Sequence, residues 1–145
     1  MRSKNKFKNI KDAEIWNAEN IYHLKTNISR IAKLIYHYEI YKKITSIPGD
    51  IIELGVFKGI SLVRFLTFRS LIENNYARKI VGFDAFGKFP ISKNAADQRF
   101  IKKHLPKAGD GISKDELDHI LLKKKFENYE LIKGNIFKTL PKYLN

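Results

Sequence analysis

The sequence predicts an α/β protein built on an open parallel sheet, with helices in the crossovers and further helices before the first strand. Three observations carry this expectation. Three short apolar runs, at 50–55, 79–84 and 129–134, are each closed by a glycine or an aspartate. The stretches between them carry helical periodicity. The resulting order, strand–glycine turn–helix–strand–helix–strand, is the βαβαβ pattern, whose crossovers are right-handed and whose strands are parallel. The strands then lie in the order 3-2-1, one half of a Rossmann-like, doubly wound sheet. At about three strands that sheet is incomplete.

Taken in order, residues 1–9 are polar and basic, and fraying is expected there. Residues 11–24 carry Ile15, Trp16, Ile21 and Leu24, a helix of moderate periodicity. In 28–46, Ile31, Leu34, Ile35 and Tyr38 recur at three- and four-residue steps, and Pro48-Gly49 stops the helix. The run Asp50-Ile51-Ile52-Glu53-Leu54-Gly55 reads as a buried strand, and 60–74 as a helix apolar on most sides. Lys79 to Asp84 is the second strand. Residues 85–112, with Gly87, Pro90, Pro106, Gly109 and Gly111, read as loops around one short helix near 95–105. Ser113 and Glu116 have the spacing of a capping box for a helix whose inner face is Leu117, Ile120 and Leu121. Lys123, Lys124 and Lys125 fall in its last turn, where cations favour the carbonyl end. Tyr129 to Gly134 is the third strand, and a helical stretch follows from Phe137. The chain divides into a basic N-terminal segment with a short helix, 1–27, and a sheet domain, 28–145.

With 145 residues, 43% hydrophobic and 12% aromatic, the chain supports one ordinary core and is not of disordered composition. It has no cysteine, which excludes disulfides, thiolate nucleophiles and cysteine-ligated zinc or iron–sulfur sites. No apolar run approaches the ~18 residues of a membrane span, and no signal peptide is visible in the first residues, so the expected location is the cytoplasm. The net charge of +13 admits a nucleic-acid or other polyanion partner. Lys outnumbers Arg by 22 to 6, however, and the chain holds 20 Ile. Arginine is the usual residue for bidentate phosphate and base contacts, so the excess reads mainly as a lysine- and isoleucine-rich composition.

The chemistry of such a sheet lies beyond the carboxyl ends of its strands. There the first strand runs into Glu53-Leu54-Gly55-Val56-Phe57-Lys58-Gly59-Ile60-Ser61. Gly55 permits a positive φ and a close ligand, Gly59 lets the helix start near the strand, and the amides of 58–61 suit an anionic group. The Walker loop fails, because Gly59 is followed by Ile60-Ser61. The dinucleotide fingerprint fails at Phe57, which disfavours a nucleotide-binding reductase. Asp84 ends the second strand, where a carboxylate suits both ribose hydroxyls of a nucleoside; an Asp in this place also serves to cap the following turn. Gly134-Asn135-Ile136 follows the third strand, where an amide side chain suits an adenine edge or an ordinary turn. All three places fall on one edge of one sheet.

At these residues the chain resembles the class I S-adenosylmethionine-dependent methyltransferases, and within them the macrocin O-methyltransferase family, which methylates sugar hydroxyls. The resemblance rests on Pro48-Gly49-Asp50-Ile51-Ile52-Glu53-Leu54-Gly55-Val56-Phe57-Lys58-Gly59, on Gly82-Phe83-Asp84-Ala85-Phe86-Gly87-Lys88-Phe89-Pro90, and on Leu131-Ile132-Lys133-Gly134-Asn135. It covers about 30–145. It implies S-adenosyl-L-methionine as cofactor, with its methionine part in the turn Glu53, Gly55, Val56, Phe57, Lys58, Gly59, Ser61. It puts the ribose at Asp84, followed by Ala85 and Phe86, and the adenine at Asn135 and Ile136.

Two departures matter. The family usually has Asp where this chain has Asn135. The family's later strands, its divalent-metal (magnesium) carboxylates and its catalytic base lie beyond the matched region. The resemblance therefore implies the cofactor-binding half of a sugar O-methyltransferase that is truncated and inactive alone, with no metal ligands and the catalytic residues unknown. It also implies an unpaired, apolar first strand that self-associates or pairs with a C-terminal half. The alternative function is a non-catalytic basic domain that binds nucleic acid or another polyanion. His23, His37, His104 and His119 have no ligand spacing and read as structural. Tyr36, Tyr38 and Tyr41 read as packing residues, or as a cover for the cofactor.

Overall fold

A computed structural model describes residues 10–90 and 94–145. Residues 1–9, read above as a frayed basic segment, lie outside the described residues. The elements run α1 (Asp12–Lys25), α2 (Ile28–Ile44), β1 (Ile51–Leu54), α3 (Ile60–Ile72), β2 (Ile80–Asp84), α4 (Ala95–Ala108), α5 (Lys114–Lys123), β3 (Tyr129–Lys133) and α6 (Ile136–Leu144). The sheet is parallel in the order β1-β2-β3, with Ile51 opposite Ile80 and Ile80 opposite Tyr129. This is the expected 3-2-1 order. β2, the central strand, is buried along Ile80–Phe83, as a parallel strand covered on both faces requires.

The pleat sorts the core. Ile80 and Gly82 face Leu62 and Leu66 of α3 and Leu117 and Leu121 of α5, which form one buried cluster with Val56 and Leu131. A Cβ on Gly82 would stand 2.8 Å from Val56 and 3.3 Å from Leu62, so glycine lets helix and strand close up there. Phe83 points the other way, edge-on to Tyr143 of α6 with ring centroids 5.5 Å apart. Among the described residues β1 has only β2 beside it, and Ile52 and Leu54 are 37% and 51% exposed. The apolar outer strand read from the sequence is therefore present. Tyr41 of α2 is fully buried against Phe65 and Phe68 of α3, whereas Tyr36 and Tyr38 remain exposed. Only the first of the three is a packing residue in full.

At the amino ends of the strands two arginines are buried. Arg69 of α3 donates to the carbonyls of Arg78 (2.8 Å), Asn128 (2.9 Å) and Glu127 (2.5 Å). Arg78 forms a bidentate pair with Glu73 at 2.9 and 3.0 Å and also donates to the Ile44 and Ile47 carbonyls, both at 3.1 Å. Tyr41 completes the group by donating its hydroxyl to Glu73. Rigid guanidinium forks thus join the ends of α2 and α3 to the starts of β2 and β3.

Two local expectations change. The short helix near 95–105 extends to Ala108 and carries Pro106 inside it. The capping box of α5 forms in one half: the Ser113 hydroxyl accepts the Glu116 amide at 3.2 Å, with no return bond from the Glu116 carboxylate. α5 ends at Lys123, so Lys124 and Lys125 lie past its last turn, and all three lysines are exposed to solvent.

Candidate cofactor cleft at the carboxyl ends of the strands

The three strand ends are tied together by continuing the ladder into the turns. The Gly55 amide donates to the Phe83 carbonyl at 2.8 Å, and the Gly134 amide to the Asp84 carbonyl at 2.9 Å. The Asp84 carboxylate reaches in both directions. One oxygen accepts the Phe57 amide at 2.9 Å and the other the Phe86 amide at 2.7 Å. Phe57 and Phe86 both have left-handed backbone, φ 52° and 51°. That conformation costs a non-glycine residue of order 1–3 kcal/mol and clusters at functional sites. Asp84 therefore holds two strained turns together. It caps its own turn, as the sequence allowed, and bridges to the glycine turn of β1 as well.

A third loop closes one side. The Gly111 amide donates to the Gly87 carbonyl and the Ile112 amide to the Phe57 carbonyl, each at 2.8 Å. Lys58 Nζ donates to the Asp110 carbonyl. A Cβ on Gly111 would lie 3.0 Å from the Gly87 oxygen and 3.1 Å from the Phe57 oxygen, so the close approach of these loops needs glycine.

The result is a cleft of about 650 Å³ lined by Gly55, Phe57, Asp84, Ala85, Gly87, Lys88, Phe89, Pro90, Asp97, Gly111, Gly134, Asn135, Ile136 and Phe137. Ligand clefts commonly span ~300–1,000 Å³. Gly55, Phe57, Asp84, Ala85, Asn135 and Ile136 of the residues read from the sequence are brought together here. The others stand behind the wall. Val56 and Phe86 are buried in the core, Gly59 packs on Leu117, and Lys58 is turned to the Asp110 carbonyl. Ser61 donates its hydroxyl to Glu53. The second Glu53 carboxylate oxygen is buried without a partner. Burial pushes the Glu53 carboxyl above the usual carboxylate range; the Asp84 charge adds to this, and Ser61 and Lys33 oppose it.

Asn135 is the N-cap of α6, its side-chain oxygen accepting the Phe137 amide at 2.9 Å. Sequence reasoning passed over Lys88, Phe89, Asp97 and Phe137 as site residues. The first two sit in the Gly-Phe-Asp-Ala-Phe-Gly-Lys-Phe-Pro block directly after β2, and that position was the available signal. Phe137 is 90% exposed, in the first turn of the helix that Asn135 caps. His37 lies outside the cleft, stacked on Phe65 at 5.2 Å, and burial lowers its pKa. No three His, Asp or Glu side chains stand together as a metal site among the described residues. The magnesium implied by the resemblance has no ligand set among the described residues. No helix of the described residues is long and apolar enough to cross a membrane.

No protein-family model matches the chain, and no curated protein matches it. Solved structures do. The apo structure of CalS11, a TDP-rhamnose 3′-O-methyltransferase of calicheamicin biosynthesis, superposes with a TM-score of 0.55 at 24% identity over 97% of this chain. A second structure of CalS11, described as a calicheamicin methyltransferase, gives 0.53 at 21% identity over 99%. This chain spans 54% and 66% of those two chains. At these identities the likeness is one of fold: the cleft stands on the Rossmann-like half-sheet that these enzymes also contain.

Proposed function

We propose that this chain is the S-adenosylmethionine-binding half of an O-methyltransferase that acts on a sugar hydroxyl. The observation that carries the reading is the meeting of three strand ends in one cleft, with Gly55, Asp84 and Asn135 on its wall. The fold likeness to CalS11, itself a sugar O-methyltransferase, supports it. So does the resemblance of the three sequence blocks to the macrocin O-methyltransferase family.

The residues fit the cofactor part by part. Gly55 has φ 91° and nothing within 4 Å of where a Cβ would stand, so its backbone is open to a ligand. In this reading the ammonium of the methionine part meets the unpartnered oxygen of Glu53, which lies just behind that wall. Each Asp84 oxygen accepts one amide, and a carboxylate oxygen has two lone pairs, so both retain an acceptor for the ribose hydroxyls. Asn135 Nδ2 donates to the adenine edge. The bound cofactor would supply an electrophilic sulfonium methyl; the contribution of these residues is to hold it in line with the acceptor. Such positioning is worth several kcal/mol of a transfer barrier, up to ~7–11 in the best cases.

The test is calorimetric titration of the 145-residue chain with S-adenosylhomocysteine, NAD⁺ and single-stranded RNA at low and high salt. Saturable, nearly salt-independent binding of S-adenosylhomocysteine alone is expected. Binding of RNA that falls steeply with salt, with none of the nucleoside, would put the polyanion reading in its place.

A further inference from the structure

Helix α4 carries a basic outer face. Arg99, Lys102, Lys103 and Lys107 recur at three- and four-residue steps, share one side of the helix and are all exposed. The one acid of the helix, Asp97, falls away from that side. Ile101 and Leu105, both half-buried, mark the inner side, and α4 buries no residue fully. Phe100 stands at the margin of the basic face and is 54% exposed. We propose that this face docks on an anionic phospholipid surface, with α4 lying along the headgroups and Phe100 entering them.

Three features argue for lipid as the occupant. A basic stripe with an exposed aromatic at its margin, on a helix at the outside of the fold, has the composition of an interfacial helix. Three of the four charges are lysines, which answer the diffuse negative potential of a bilayer. They lack the bidentate fork with which arginine reads bases and phosphates. The face is also presented ready-formed. Asn94 caps the start of α4 by accepting the Ala96 amide at 2.8 Å. The loop beyond its end is pinned through Gly111 and Ile112 to Gly87 and Phe57. Docking therefore orders no segment of this region, a cost that an unfolded basic tail would bear.

The patch continues onto the rim of the neighbouring cleft, where Lys88 is exposed and Phe137 is 90% exposed. The contact is peripheral, since no helix of the described residues is long and apolar enough to cross a membrane. It is independent of what the cleft binds.

The test is cosedimentation of the full chain with vesicles of phosphatidylcholine alone and of one part phosphatidylserine to two parts phosphatidylcholine, with a labelled single-stranded RNA titrated in parallel. Binding to the anionic vesicles alone is expected, weakening as salt rises. Lys103→Ala/Lys107→Ala should weaken it about 25-fold, roughly fivefold for each charge. Phe100→Ala should weaken it about tenfold. Both variants should keep the wild-type thermal midpoint. Lys123→Ala/Lys124→Ala/Lys125→Ala removes more charge at the amino ends of the strands and should bind as the wild type does. Several results would overturn the proposal: no binding to anionic vesicles, an equal loss in the triple variant, or indifference to Phe100→Ala. RNA binding that Lys103→Ala/Lys107→Ala abolishes, in a chain that ignores the vesicles, would overturn it in favour of a nucleic-acid face.

Discussion

The carboxylate of Asp84 accepts the amide of Phe57 at 2.9 Å across the gap between two strand ends. Its other oxygen accepts Phe86 at 2.7 Å, and both donors have left-handed backbone. One residue thus sets the shape of the glycine turn and of the turn after β2 before any ligand arrives.

Asp84→Ala should consequently fail in two ways. It removes two charge-assisted acceptors from strained turns, worth about 1.5–3 kcal/mol each, and it removes the ribose acceptor. The expected result is a lowered thermal midpoint and loss of S-adenosylhomocysteine binding in calorimetry. Asp84→Asn keeps one acceptor oxygen and should fall between the two in stability. Unchanged cofactor affinity in either variant would show that the ribose is held elsewhere.

The two glycines of the β1 turn should separate. Gly55 has φ 91° and open space around its absent Cβ, whereas at Gly59, φ 79°, a Cβ would stand 2.7 Å from Leu117. Gly55→Val should strain the turn by about 1–2 kcal/mol and obstruct the ligand, so affinity falls further than stability. Gly59→Ala adds overpacking of about 1–3 kcal/mol to the same strain, so stability falls first. Denaturant melts and titrations on both variants check the order.

Glu53 predicts a pH dependence. Burial raises its pKa, so the neutral form is favoured by the fold and the stability linked to it is present at low pH and lost as pH rises through the raised value. Cofactor binding runs the opposite way, because the ammonium of the methionine part needs the carboxylate. Affinity for S-adenosylhomocysteine should therefore decline on acidification sooner than an ordinary glutamate would cause. Glu53→Gln should bind weakly and lose that part of the profile. A wild-type profile that Glu53→Gln does not alter removes Glu53 from the site.

The buried ion pair makes a prediction independent of any ligand. The Glu73 and Arg78 side chains are 15% and 6% exposed and 2.9 Å apart. The bond from Arg78 lowers the Glu73 pKa, opposed by burial and assisted by Tyr41. Stability from Glu73 is present above its unfolded pKa and lost as pH falls through the lowered one. Arg78→Met strands that carboxylate and should cost about 3–5 kcal/mol, read from urea melts near neutral pH.

Much of this architecture is visible in the residues themselves. The run 50–55 bounded by Pro48-Gly49 and Gly55 became β1, and the sheet order follows from right-handed crossovers between three such runs. Strand-end residues Gly55, Asp84 and Asn135 were legible for the same reason: position at a strand terminus is local. Asp97 was not, because the approach of its helix to the cleft goes with the 109–112 loop that is pinned to Gly87 and Phe57 by bonds spanning more than twenty residues. Arg69 was hidden as well. It sits inside an apolar helix, and its burial is compensated by carbonyls from Arg78, Glu127 and Asn128 that no periodicity identifies.

The outer strand gives a prediction about association. Ile52 and Leu54 are exposed on a strand with one free edge among the described residues, and such edges template pairing between chains. Sedimentation should detect concentration-dependent self-association that Leu54→Lys suppresses. A monodisperse monomer at all concentrations would contradict it.

The central claim is that the strand-end cleft holds the nucleoside cofactor, and amide chemical-shift mapping of the chain with S-adenosylhomocysteine tests it most directly. The account predicts saturable shifts at Gly55, Phe57, Ala85, Gly134, Asn135 and Phe137, with little change at the amino ends of the strands around Arg69 and Arg78. Absence of saturable shifts, or shifts confined to residues outside the cleft, would contradict it.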